Sequence, residues 1–212
     1  MVLPLLNGID ATSRIGRIVG ERAVLVGMSY ARSTRTGPAT IDHMANTKII
    51  LGVPAGGHSH RVEAVAQMLR AARIDTEVHK EPDIPLWEKL AAHGAFGGVT
   101  ALTRLRLGPM LVCQETRAMF RAVILEIVAV GRARGVAIPS EAANRIAAMA
   151  DDLPPATRPS LLEDVLDGRR LELETTTGTV VQMGRELGVP TPTNAAIYAA
   201  LKAYADGAPS LP

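Results

Sequence analysis

Lys89 is the residue of this 212-residue chain whose setting most favours proton chemistry. It stands between Trp87 and Leu90 in residues 84–107, IPLWEKLAAHGAFGGVTALTRLRL, where Leu86, Leu90, Phe96, Val99, Leu102 and Leu105 recur at helical spacing. Pro85 suits the first turn of that helix, where its missing N–H would be unpaired anyway. An ammonium beside an apolar stripe loses hydration, its pKa falls, and it becomes a proton donor near neutral pH. The same position also suits a lysine that lays its stem on the core and keeps its head in water. Gly94, Gly97 and Gly98 follow in the same helix. Each costs roughly 1 kcal/mol against alanine, so the expectation is a close approach by another backbone or a ligand.

Other chemistries are poorly supplied. The histidines at 43, 58, 60, 79 and 93 form no metal-ligand pattern, and the expectation is no metal. His58-x-His60 sits in a glycine-rich loop and reads as solvated. Cys113 is the sole cysteine, which excludes an intramolecular disulfide. Its neighbours Leu111 and Val112 predict a buried, inert thiol. There is no G-x-G-x-x-G, no G-x-x-x-x-G-K-[ST] and no G-x-S-x-G.

Composition is that of a globular protein, with 47% hydrophobic and 21% charged residues. Its 23 basic and 21 acidic residues leave a net charge of +2, which makes no electrostatic case for nucleic acid or an anionic membrane. The N-terminal MVLPLLNGID lacks the basic region and apolar core of a signal peptide. Arg121 and Glu126 interrupt the best apolar run, residues 119–130, so no membrane span is expected. A soluble, cytoplasmic protein is the expectation.

The elements that must position Lys89 change character near Pro82. Before it, strand signals alternate with helical crossovers. Residues 2–6 read as a buried strand ending at Asn7-Gly8. Asp10 or Ser13 can cap a short helix toward Val19. Residues 23–30, 39–41, 48–53 and 75–79 read as further strands, residues 43–46 as a connection, and a helix begins at Ser59 or His60. After Pro82, helical periods dominate. Residues 115–134 carry apolar side chains almost all round, as a buried central helix does. Helices are also predicted after Pro139-Ser140 with Ile146 and Met149 inward, over 160–166, over 174–187 and over 193–205, with 207–212 frayed. The expected fold class is α+β, in two domains: 1–82, an α/β layer, and 83–212, all-helical.

In this arrangement the chain resembles the ketopantoate reductases, the NADPH-dependent 2-dehydropantoate 2-reductases. LPLLNG at 3–8 resembles the strand carrying the family's substrate-side asparagine. TGPATIDH at 36–43 resembles its small sheet, and DIPLWEKL at 83–90 the segment ending in its catalytic lysine. Residues 159–202 are similar to its S-x-x-x-D…G-x-x-x-E…G-x-x-x-P-x-N pattern. The resemblance implies a partial Rossmann-type α/β layer followed by a helical domain of the 6-phosphogluconate dehydrogenase C-terminal type.

It also implies roles. Lys89 would be the general acid that protonates a keto oxygen, with Glu172 holding lysine and substrate in place. Asn7, His93 and Ser160 would face the substrate, in one cleft between the two parts of the chain. Ser160 with Glu163 could equally be only a capping box. The substrate implied is a 2-keto acid such as 2-dehydropantoate, in pantothenate biosynthesis, and the cofactor NADPH. His93 and Gly97, with Leu107 beyond, stand where the family places asparagines, which implies a different 2-keto acid or reduced activity. The family's opening G-x-G-x-x-G βαβ unit is not among these residues, so the expectation for this chain alone is negligible NADPH affinity and no catalysis. An unpaired sheet edge then predicts a homo-oligomer, a dimer or larger. A non-catalytic binding or assembly protein that keeps the helical fold is the alternative.

Overall fold

The computed structural model describes residues 1–45 and 47–208, the side chains of Met44 and Ala45 excepted. The chain divides into two compact units: residues 1–6 with 10–86, and residues 7–9 with 87–212.

In the first unit, α1 (Ala11–Val19) begins after Asp10, which pairs with Arg14 at 3.3 Å and makes no capping bond. A short 3₁₀ turn, Glu21–Ala23, leads into β1 (Val26–Ser29). β4 (Ile49–Gly52) lies between β1 and β5 (Thr76–Val78), in the order β1-β4-β5. β1 runs antiparallel to β4, with Val26 opposite Gly52, and β5 runs parallel to β4, with Ile49 opposite Thr76. A parallel pair needs a crossover, and α2 (His60–Ala71) supplies it, its start capped by the Ser59 hydroxyl accepting from Arg61 N–H. All four residues of β4 are buried, as expected of a sheet's central strand. Leu25, Ile49, Leu51, Val62, Val65 and Ala66 form this unit's core.

Two strand expectations needed correction. Residues 2–6 form no regular strand. Only Val2 pairs, through a parallel bridge to Val24, and Leu5 and Leu6 are exposed. Residues 32–45 form an antiparallel hairpin, β2 (Arg32–Gly37) and β3 (Thr40–Ala45), so His43 lies in a strand rather than a connection. β2 reads RSTRTG, with no apolar face to signal it. The hairpin ladder holds it together despite its exposure.

The second unit is helical, and no strand among the described residues lies beyond Val78. α3 (Asp83–Thr103) ends at Arg104, which adopts φ 60°. It is followed by α4 (Leu107–Val112), α5 (Gln114–Ala133), α6 (Ala142–Ala148) and α7 (Ser160–Leu166). A five-residue π turn (Glu174–Gly178), α8 (Thr179–Leu187) and α9 (Pro192–Lys202) complete it. α5 is the central helix, burying Phe120, Val123, Ile124, Ile127, Val128 and Val130. It is not buried all round, because Arg121 and Leu125 face outward.

The glycines of α3 now have their reason, and it is packing rather than a ligand. A Cβ on Gly94 would lie 2.9 Å from Ile127 Cδ1, one on Gly97 3.2 Å from Leu161 Cβ, and one on Gly98 3.3 Å from Ile197 Cγ2. One helix thereby receives side chains from α5, α7 and α9. Elsewhere the expectations erred by exposure. Cys113 is exposed, its thiol 3.2 Å from a Glu115 carboxylate oxygen, because the chain turns outward between α4 and α5. Met149 is exposed too, just past the end of α6. Gly207 and Ala208 donate backbone hydrogen bonds to Tyr204 and Gly168, while residues 209–212 lie outside the described residues.

Candidate active site

Asn7, Lys89 and Glu172 meet within the second unit. Lys89 lies half-buried on α3. Lys89 Nζ donates to Asn7 Oδ1 at 3.2 Å, and Asn7 Nδ2 donates to Glu172 Oε2 at 2.9 Å. One amide thus bridges an ammonium and a carboxylate, its oxygen toward the cation and its NH₂ toward the anion. That orientation leaves neither charge facing a like dipole. Gly8 makes the corner possible. Its φ is +92°, and a Cβ there would lie 2.4 Å from the Thr175 carbonyl oxygen. Only glycine tolerates both the angle and the approach.

Burial lowers the Lys89 pKa, and the Glu172 charge partly offsets it. The carboxylate end of the pair is wet, since Glu172 is exposed. Lys89 is desolvated, its partner is not. Solvent therefore screens the attraction, and desolvation wins.

His93 lies one turn beyond Lys89 on α3 and is electrostatically coupled to the same group. Burial lowers its pKa, the Lys89 charge lowers it further, and Glu172 raises it. An unfolded chain takes up this proton near pH 6.5, whereas the native state takes it up only at lower pH. The unfolded state binds more protons in that window, so stability falls as pH drops from 6.5 through the native pKa. We expect His93→Asn to flatten this acid-side loss, measured by urea unfolding at about pH 7 and about pH 5.

Ser160 stands apart from this hydrogen-bonded chain. It is the exposed first residue of α7, where Pro159 takes the cap position, and its hydroxyl makes no hydrogen bond among the described residues. The capping box with Glu163 does not form. What ties it to α3 is its neighbour Leu161, seated on Gly97. No group of three or more metal-ligating side chains occurs among the described residues, and His58 and His60 are exposed at the start of α2. No helix among them is long and apolar enough to cross a membrane.

Sequence reasoning passed over Glu126 and the π turn. Glu126 accepts from Thr193 N–H, Asn194 N–H and Asn194 Nδ2, at 2.9, 2.9 and 2.7 Å, and so caps α9 from α5. Its signal was a lone acid within an apolar run. The π turn's signal was the β-branched run Thr175-Thr176-Thr177, which weakens an α-helix.

Residues 85–205 match the family described as ketopantoate reductase PanE/ApbA C terminal, and residues 1–56 match ketopantoate reductase PanE/ApbA. The chain is 30% identical over 200 residues to a 2-dehydropantoate 2-reductase of Mesorhizobium japonicum, covering 94% of this chain and 61% of that protein. It is 31% identical over 205 residues to that of Caulobacter vibrioides, covering 95% and 67% respectively. The crystal structure of 2-dehydropantoate 2-reductase from Methylococcus capsulatus superposes with a TM-score of 0.86 at 30% identity, over 94% of this chain and 68% of that one. These 212 residues thus span about three fifths to two thirds of their relatives' length. Two family matches and these likenesses lead to one conclusion: the chain belongs to the ketopantoate reductase family.

Proposed function

We propose that this chain carries the substrate site of an NADPH-dependent oxidoreductase that reduces a 2-keto acid, such as 2-dehydropantoate, to its 2-hydroxy acid. The observation that carries the reading is the Lys89–Asn7–Glu172 chain of hydrogen bonds, which joins residues 82 and 165 positions apart in sequence. A reduced nicotinamide supplies the hydride in such chemistry. As the keto carbon accepts it, negative charge gathers on the oxygen, and Lys89 stabilises that charge and gives up its proton there. Asn7 holds the ammonium by its oxygen, and Glu172 favours its charged form. His93, held neutral, offers one hydrogen bond to the acid, and the Ser160 hydroxyl another.

The residues present do not fit the cofactor's pyrophosphate. They hold no G-x-G-x-x-G, and the glycine-rich turn before α2 directs the Ser59 hydroxyl to its own helix. We therefore assign the nucleotide no residue of this chain. The division proposed is residues 1–82 as the nucleotide-domain part and 83–212 as the substrate domain. We further propose a cytoplasmic homo-oligomer, which light scattering would check.

The site predicts that pantoate or a 2-keto acid binds this chain directly. In calorimetry, Lys89→Ala should weaken that binding by about tenfold or more, the loss of one charge-assisted hydrogen bond. Equal affinity of the two proteins would defeat the reading and favour a non-catalytic binding or assembly protein.

A further inference from the structure

The segment that follows Glu172 departs from α-helical geometry. Gly178 N–H reaches back five residues to the Leu173 carbonyl at 2.8 Å, the π register. A π turn is rare and adds one residue to a helical turn. Each helical residue turns the chain by about 100°, so the insertion re-aims everything before it relative to α8. Threonine hydroxyls take up the displaced carbonyls. Thr176 Oγ1 donates to the Glu172 carbonyl at 2.8 Å and Thr175 Oγ1 to the same oxygen at 3.3 Å, while Thr179 Oγ1 serves the Glu174 carbonyl at 2.8 Å. Thr176 is 3% exposed, so its hydroxyl has no water to turn to.

The turn is braced on both sides. Glu174 accepts from Tyr198 Oη at 3.1 and 3.2 Å and pairs with Lys202, both on α9. The Thr175 carbonyl abuts Gly8, next to Asn7. The π turn therefore touches the backbone of Glu172 and of Gly8, the residue that follows Asn7.

We propose that the π turn Glu174–Gly178 is a positioning device for the proton-donor site, and that Thr176, through its hydrogen bond to the Glu172 carbonyl, is a positioning residue for Glu172. This rests on reading Lys89 and Glu172 as acid and partner. Straightened to α-geometry, the segment would swing the Glu172 carboxylate away from Asn7.

The test is the NMR titration of the Lys89 side chain in the chain as it stands, which needs no cofactor and no turnover. Glu172→Gln sets the scale, because it removes the charge that raises the Lys89 pKa. Thr176→Val keeps the shape and loses the hydroxyl. It should lower the Lys89 titration by at least half of the drop seen in Glu172→Gln, and move the Asn7 side-chain amide signals. Thr176→Ser should restore both. If Thr176→Val does not fold, Thr175→Val removes the other hydroxyl on the same carbonyl and should move the same signals in the same direction. A lowered melting temperature with Lys89 and Asn7 unmoved overturns the proposal, as does a Glu172→Gln variant that leaves Lys89 unchanged. Either result leaves the acid role of Lys89 to its own binding and activity tests.

Discussion

Lys89→Ala is expected to cut 2-keto-acid reduction by roughly 10²–10⁴-fold, the usual contribution of a positioned general acid. The measurement is NADPH oxidation by a fusion in which a relative's G-x-G-x-x-G βαβ unit precedes Met1. NADPH affinity in that fusion should hardly change, because the role proposed for Lys89 is at the keto oxygen and not at the nucleotide. Lys89→Arg should rescue little. Arginine keeps the positive charge but does not release its proton in this range, so it can steady the alkoxide without protonating it. The direction of the Lys89 pKa supports the assignment. Burial lowers it from 10.5, while Glu172, exposed and screened, restores only part of the shift. The same shift predicts that native stability rises with pH in the window below 10.5, where the unfolded chain still binds a proton that native Lys89 has released. Reduction that survives Lys89→Ala would remove the residue from the mechanism.

Glu126→Ala should cause the largest loss of stability among single changes at polar positions, about 3 kcal/mol, from three charge-assisted hydrogen bonds and the groups left behind. The orphaned groups are the first N–H donors of α9 and the amide of Asn194, which is 0% exposed. For a chain of this size the fall in melting temperature is about 6–12 °C. The double variant Glu126→Ala with Asn194→Ala should cost clearly less than the sum of the two, since each change removes part of the other's partner. Additive costs would mean that the two side chains do not act as a unit. α9 is held this way because its own start offers no cap: Thr191 precedes Pro192 without a side-chain bond to the helix.

Much of the candidate site was legible in the linear order of residues. The period of residues 84–107 announced the helix that carries Lys89, and residues 84–103 lie in α3. Asn7-Gly8 announced a corner, and the corner exists, with Gly8 at φ +92°. Residues 160–166 announced a short helix, and it is α7. Hairpin strand β2 escaped notice because a ribbon of arginine, serine and threonine has no alternation to read. Residues 2–6 misled in the opposite sense: an apolar run carries no information about whether a neighbouring strand is there to receive it.

Local pattern by itself determined the helix that bears Lys89 and the change from strands to helices near Pro82. Those follow from interactions between residues a few positions apart, which any chain segment carries with it. Tertiary structure alone decided which polar groups share an environment. It brought Asn7 to Glu172 across 165 positions, left Ser160 outside that chain of bonds, exposed Cys113, and turned Glu126 from an interruption into a cap. Burial and hydrogen bonding at those places depend on what the rest of the fold packs against each side chain, and no spacing rule encodes that.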